Sequence, residues 1–376
     1  MKRIISVIIA LLLVLSFAAC KRIDETDTAS SSSIQSDNTV TSSEENISSE
    51  EAVSSETLSS EEPSSVASVP SSSVPTSSAP SSKPVVAPAP KPPVSNDPLT
   101  ITYTPKTVNA GKTYTGLPVL PVIQYTLNDP NNTRGLSAVR NGFSFGVAKN
   151  GAPHSITVNN QKVFDGYNMN ALAWDNKTEG KVLYLTFDCG YKFQNLTERL
   201  LNTLKEKNVK AAFFCTLDYL EDDSAAVCRM ISEGHIVGNH STTHPDFTTI
   251  NRERMAKELL GAHNFMRVNY GYDSKYFRFP TGAFSQSALD VVDQMGYRSA
   301  FWSVAYADWD PAGQDTSNAA KTEEAYNTVI SRLHPGAVIL LHSTSPYNVA
   351  NLGKIIDYAI SQGYEFRSID EYGFWK

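Results

Sequence analysis

The chain has 376 residues, 41% of them hydrophobic, and a formal net charge of −7. A negative balance with no basic block argues against a nucleic-acid partner. A single long apolar run excludes a multispan membrane protein, and the aromatic, apolar C-terminal part excludes a wholly disordered chain.

The head of the chain reads as an export signal. Lys2 and Arg3 precede an apolar run over residues 4–17, and Ala18, Ala19 and Cys20 follow. A basic start, a short apolar stretch and small residues at a cleavage site make a secretory signal peptide. The run is short for a transmembrane helix. Cys20 after two alanines resembles a bacterial lipobox, which gives a lipoprotein signal peptide over 1–20 and a diacylated Cys20. The alternative is an ordinary signal peptide with a chance cysteine. Two acyl chains anchor stably where one does not. The expected location is therefore extracytoplasmic, anchored to the cell membrane through lipid on Cys20 and reaching into the cell wall.

Residues 21–98 carry a net charge of −8, and 23 of the 53 residues over 30–82 are serine. Few side chains there can offset the entropy of ordering, so the segment reads as a disordered Ser/Glu/Pro-rich tether. Its Pro-rich end, PVVAPAPKPPV, is extended and semi-stiff. At ~3.1 Å per residue the tether reaches on the order of 240 Å at most.

Residues 99–180 hold scattered β-branched residues and turn signals at Asn128-Asp129-Pro130 and Asn150-Gly151. They read as a short β-rich extension without a helix, packed on the C-terminal half of the chain. From 181 onward strands and helices alternate. KVLYLTF is a strand, and residues 195–208 are a helix with a capping-box-like start at Asn195 and Glu198. KAAFFCT, HIVGN, YFRF, RSAFWSV, GAVILLH and YEFRSI are further strands. Helices are expected over 222–234, 251–269, 285–295, 318–333 and 348–362, three of them stopped by Gly234, Gly296 and Gly363. The fold class is α/β, and about seven such units over 181–376 suggest a parallel barrel short of the usual eight. Cys189, Cys215 and Cys228 are odd in number and widely spaced, which is no disulfide framework.

Polar residues recur at strand ends, where barrels place their chemistry. Asp188 ends one strand, His240 and His244 follow HIVGN, Arg278 lies in YFRF, Asp308 and Trp309 follow RSAFWSV, and His342 ends GAVILLH. Two histidines four apart, on a helical turn or a tight loop, suit a divalent metal with open positions. HxxxH alone is weak, and a pair of capping or core histidines is about as common. Beside Asp188 and His342 the pair gains weight. A carboxylate can take a proton from water and a histidine can give one to a leaving nitrogen, the machinery for amide or ester hydrolysis.

Residues 181–376 resemble the polysaccharide deacetylase domain (NodB homology, carbohydrate esterase family 4). TFDCG at 186–190, HSTTH at 240–244, RFPTG at 278–282, WSVAYADW at 302–309 and LLHS at 340–343 carry the likeness, in order. The phrases TFDCGY and FWSVAYADW, with the HPGAVILLHS run, are most similar to the peptidoglycan N-acetylmuramic acid deacetylase, delta-lactam-forming branch. The resemblance implies a distorted (β/α) barrel and N-deacetylation of a cell-wall glycan; the chain is expected to be a monomer. It implies Asp188 as catalytic base, His342 as acid, Arg278 positioning the base, and Asp308 in the fourth motif. His240 and His244 match ligands of a divalent metal, zinc being the usual one. The Thr281 N–H matches an oxyanion donor, Trp309 a pocket wall, and Leu340 or Leu341 its floor.

Three positions depart from the family pattern: Cys189 replaces a metal-ligating Asp, Ala305 an early Asp of the fourth motif, and Phe279 with Thr281 a Pro and an aromatic. The branch carries an Arg where this chain has Thr281. At Cys189 three readings stand: a thiolate ligand favouring zinc, a cation held by two histidines and waters, or no metal and a catalytically impaired glycan binder. A deacetylase of another polysaccharide, chitin-like or exported, shares the same chemistry.

Overall fold

The computed structural model describes residues 95–376. The expected signal segment, Cys20 and residues 21–94 of the expected tether lie outside the described residues.

β1 (Leu99–Ile101) and β2 (Tyr125–Leu127) form an antiparallel pair. β3 (Ala171–Leu172), β4 (Val182–Cys189), β5 (Ala212–Cys215), β6 (Ile236–Asn239), β7 (Tyr276–Phe277), β8 (Arg298–Ala300), β9 (Ala337–His342) and β10 (Glu365–Arg367) form one eight-stranded sheet. Its order is β10-β4-β5-β6-β7-β8-β3, with β9 also on β4, and every pair is parallel. A bridge from Val304 to Ile339 and another from Trp174 to Ala337 lead back to β9, so the sheet curls round on itself. The seven strands expected from the sequence are β4 to β10. The eighth, β3, comes from the extension.

Alternation along the strands decides what faces inward. One residue from each of seven strands joins a single buried cluster: Leu172, Tyr184, Phe214, Ile236, Tyr276, Ala300 and Val338. Their neighbours in sequence, such as Phe187, Phe213, Val237, Ile339 and Leu341, pack outward with the helices Leu196–Lys207, Ser224–Ser232, Arg252–Tyr270 and Pro346–Ser361. Near the N-terminal ends of the strands, Tyr184 donates to Asp175 at 2.7 Å and Tyr372 packs edge-on to Tyr184. The interior is therefore filled with side chains below and free for chemistry above.

The extension differs from expectation. It contains a 13-residue helix, Ser155–Tyr167, where no helix is expected. Its sequence, SITVNNQKVFDGY, is poor in strong helix formers. Tertiary contacts stabilise it instead: Thr157 donates to the Phe145 carbonyl at 2.6 Å, and Phe164 stacks on Phe301. Gln161 holds β3 in place, accepting from the Ala173 and Trp174 N–H groups at 2.8 and 3.2 Å. Two buried asparagines of Arg252–Tyr270 satisfy the extension's backbone. Asn264 bonds Ile123 N–H and the Tyr103 and Ile123 carbonyls, each at 2.9 Å, and Asn269 bonds Val108 N–H and the Lys106 carbonyl at 2.9 Å.

Two smaller expectations change. Residues 222–234 are not one helix; Leu217–Asp222 and Ser224–Ser232 meet at Asp223. Asn195 precedes its helix but its side chain makes no cap bond.

Candidate active site

Inward alternation along β4 places Thr186 and Asp188 on the cavity side, and along β9 it places Leu340 and His342 there. Asp188 and His342 are register partners on neighbouring parallel strands, so their backbones stand one strand spacing apart, ~4.8 Å. Both line a cavity of about 990 Å3 that also takes in His240, His244, Thr281 and Trp309.

Arg278 follows β7 and is fully buried. Its Nη1 donates to Asp188 Oδ1 at 2.8 Å, Nη2 to Thr186 Oγ1 at 2.8 Å, and Nε to the Ala300 carbonyl at 2.9 Å. The Phe214 ring lies 4.3 Å from the guanidinium carbon. Gly238 gives that ring its space, since a Cβ there would stand 2.4 Å from a Phe214 ring carbon. Burial works against the Asp188 carboxylate, but Arg278, then His240 and His342, hold its pKa below the usual range. A carboxylate so held stays ionised and ready to accept a proton.

His342 is fixed from behind. Asp308, fully buried, accepts from His342 Nδ1 at 2.7 Å and from its backbone N–H at 2.8 Å. Asn348 donates to the same carboxylate at 2.6 Å and accepts from Tyr306 at 2.7 Å. Burial opposes a charged ring, yet the Asp308 bond and charge raise the His342 pKa above the ordinary histidine value. Nδ1 is then committed to Asp308, and Nε2 is the ring nitrogen left for the cavity.

The HSTTH run is a tight loop, not a helical turn. Ser241 and His244 have positive φ, 71° and 55°. Buried Glu258 shapes the loop by accepting from the Thr242 and Thr243 N–H groups at 3.1 and 2.7 Å. The two imidazoles meet edge-on with centroids 4.9 Å apart. His240 Nδ1 lies 2.9 Å from the Arg278 carbonyl and so carries the proton, and Nε2 lies 3.5 Å from Asp188 Oδ2. Burial pushes the His240 pKa down to about 4. A neutral imidazole whose outer nitrogen is tied to a carbonyl is the form that binds cations.

Two expected residues lie elsewhere. Cys189 follows Asp188 on the strand and so points outward, into the buried cluster with Phe187, Cys215 and Tyr219. It does not line the cavity. No group of three or more His, Cys, Asp or Glu side chains that could enclose a metal occurs among the described residues. The two cavity-facing imidazoles alone are fewer than three donors, so a divalent ion held by them would keep most of its positions open. Leu341 likewise points outward, fully buried, and Leu340 alone lies on the cavity floor.

Thr281 has φ 60° in the short turn Pro280–Gly282, at the rim of the cavity. Trp309 is 60% exposed, and its ring centroid lies 6.3 Å from that of His342. Sequence reasoning missed Thr186, Trp302, Asn348 and Arg332. Thr186 carried a signal, being two residues before Asp188 on the same strand face. Arg332, in the connection after Ala319–Ile330, carried none.

A family model described as polysaccharide deacetylase matches residues 175–300. The chain is 36% identical over 227 residues to peptidoglycan-N-acetylmuramic acid deacetylase PdaA of Bacillus subtilis, spanning 58% of this chain and 84% of that protein. The chain belongs to the polysaccharide deacetylase family. This deacetylase is also 41% identical over 192 residues to an uncharacterized 30.6 kDa protein of Geobacillus stearothermophilus, over 51% of this chain and 70% of that one. The solved structure of Bacillus subtilis PdaA, a family 4 carbohydrate esterase, superposes with a TM-score of 0.58 at 34% identity, covering 64% of this chain and 99% of that one. As a member of this family of enzymes it is a hydrolase, and Asp188, His240, Arg278 and His342 converge at the C-terminal mouth of its sheet.

Proposed function

We propose that this polysaccharide deacetylase removes N-acetyl groups from amino sugars of a cell-envelope glycan, peptidoglycan, in a metal-dependent hydrolysis. The observation that carries the reading is the pairing of Asp188 with His342 side by side on one cavity wall, each fixed by its own buried partner.

The acetamide of a sugar enters between Asp188 and His342. Asp188 takes a proton from the attacking water while Arg278 holds its Oδ1, leaving Oδ2 to act. The water oxygen joins the acetyl carbon. The Thr281 N–H, at the cavity rim, donates to the oxygen that becomes negative, a large term in acyl transfer. His342 then gives its Nε2 proton to the sugar nitrogen as the carbon–nitrogen bond breaks. Asp308 compensates the charge of the imidazolium before that transfer. Acetate leaves and a free amine stays on the glycan. His240 and His244 would hold a divalent cation, and zinc suits imidazole donors; bound there, it supplies a Lewis acid and lowers the pKa of water.

Acetate release from peptidoglycan by the purified chain, supplied with zinc, tests this directly. Release that disappears in Asp188→Asn and after EDTA treatment supports both base and metal. No acetate from any glycan tested sinks the activity, and release that survives EDTA sinks the metal alone. The chain acts as a monomer on the outer side of the membrane, held by acylated Cys20; labelled fatty acid should enter the wild type and not Cys20→Ser.

A further inference from the structure

Trp309 stands on the cavity wall with little packed against it. It is mostly exposed, joins none of the buried apolar clusters, and meets the His342 ring edge-on at 6.3 Å. Asp310, Ala312, Gly313 and residues 315–318 after it are exposed as well. Such an indole keeps its place only if the backbone beneath it is held, and Gln314 holds it. The Gln314 N–H closes the short turn Pro311–Gly313 by donating to the Pro311 carbonyl at 3.1 Å. Gln314 Nε2 donates to the Asp308 and Asp310 carbonyls at 2.9 and 3.0 Å, one on each side of Trp309. Its Oε1 accepts from Ser345 Oγ at 2.5 Å and from the Tyr347 N–H at 3.2 Å. Carbonyls only accept and a backbone N–H only donates, so the amide has one orientation and all four of its bonding positions are used. Among the described residues no other side chain bonds the backbone on both sides of Trp309. Ser345 caps the helix Pro346–Ser361, accepting from the Asn348 N–H at 3.2 Å. Gln314 therefore ties the Trp309 loop to the helix start that follows His342.

We propose that Gln314 is a positioning residue that fixes Trp309 as a rigid wall against the acyl group and so confines the reaction to acetyl. The inference rests on the deacetylase reading above. Gln314 does not itself line the cavity; it acts through Trp309. Acyl chemistry between Asp188 and His342 brings the acyl tail near the indole, whose ring stands beside the imidazole. A wall fixed at its backbone resists an added methylene, as a close-packed interior does. A wall on a free loop moves aside and admits it. Asp308 cannot do this alone. Its carboxylate is committed to His342 and Asn348, and it anchors only the side before Trp309.

The test uses the full-length chain and two variants. Gln314→Met keeps the length and loses all four bonds, and Gln314→Glu turns a carboxylate oxygen toward the two carbonyls. The substrates are glycan strands carrying N-acetyl groups and the same strands re-acylated with N-propionyl groups. In the wild type the ratio of kcat/KM for acetyl over propionyl is expected to be ~10 or more, the discrimination that one methylene brings in a fitted pocket. In both variants the ratio should fall about fivefold or more while thermal melting stays cooperative. Amide hydrogen exchange over residues 309–316 should quicken in both, with β9 still protected. If Gln314 only stiffens the fold, acetyl and propionyl turnover fall together and the ratio stands, which overturns the proposal. A wild-type ratio of about 1 overturns it as well, and so does loop exchange that does not change. Loop exchange that quickens in a chain releasing no acid from either glycan instead sinks the deacetylase reading, and the acyl selection with it.

Discussion

At the scale of single residues, the acid–base pair is defined by what lies behind it. Asp308 raises the His342 pKa and orients Nδ1. On the proposed mechanism activity needs His342 protonated, so rate is lost as pH rises through its raised pKa. In Asp308→Asn that support is gone, and the alkaline limb of the pH–rate profile should move to lower pH. The rate at neutral pH should fall by ~100-fold or more. An unmoved alkaline limb would mean that another group sets it. Cys189 makes the opposite case. Its side chain packs outward with Cys215 and Tyr219, so Cys189→Ala should leave the zinc binding proposed for His240 and His244 unchanged. It should still cost about 1 kcal/mol of stability for the lost packing, and loss of zinc would restore the thiol to the ligand set.

Single elements transmit local packing to the site. Phe214 of β5 supports the Arg278 guanidinium from 4.3 Å, and Gly238 of β6 leaves room for that ring. Gly238→Ala should destabilise the protein by ~1–3 kcal/mol through overpacking and lower kcat by displacing Arg278 from Asp188; thermal melting and acetate release measure the two effects. A kcat that holds while the melting temperature falls would separate Phe214 from the positioning of the base. The strands are legible in the sequence because their apolar runs are short, β-rich and bounded by turns. Their alternation holds a further signal. Asp188 and Cys189 are adjacent on one strand, as are Leu340 and Leu341, so only one of each pair can face the cavity. The helix Ser155–Tyr167 is not legible, since its buried face holds Thr157, Asn160 and Gln161 beside a single phenylalanine. Nor is the bend of the 240–244 loop, which Glu258 imposes from a helix further along the chain.

Across the whole molecule, the extension and the barrel share a sheet. β3 pairs with β8 through Ala171 with Ser299 and Leu172 with Ala300, and the buried asparagines 264 and 269 are satisfied by extension backbone. A chain beginning at 181, the boundary suggested by the repeating strand–helix pattern, would leave the β8 edge and those amides open. An open edge is a template for aggregation. Residues 95–376 should melt in one cooperative transition and run as a single species on size exclusion, whereas 181–376 should aggregate. A soluble, cooperatively folded 181–376 would show the extension to be dispensable.

The same pairing orders events in time. β3 is synthesised ahead of every other strand of the sheet, but its partner β8 is made only after β4 to β7. Until then Phe164 lacks Phe301 and β3 lacks its only neighbour in the sheet, so neither the helix nor the strand has its tertiary support. Contacts this far apart in sequence slow folding, so the nascent chain stays open long after its first strand is made. A chain ending before residue 298 contains Asp188, His240 and Arg278 but lacks β8 and β9, and with them Asp308 and His342. The site can assemble only when the chain is nearly complete, so a prematurely ended fragment carries Asp188 without His342 and, on the proposed mechanism, cannot cleave.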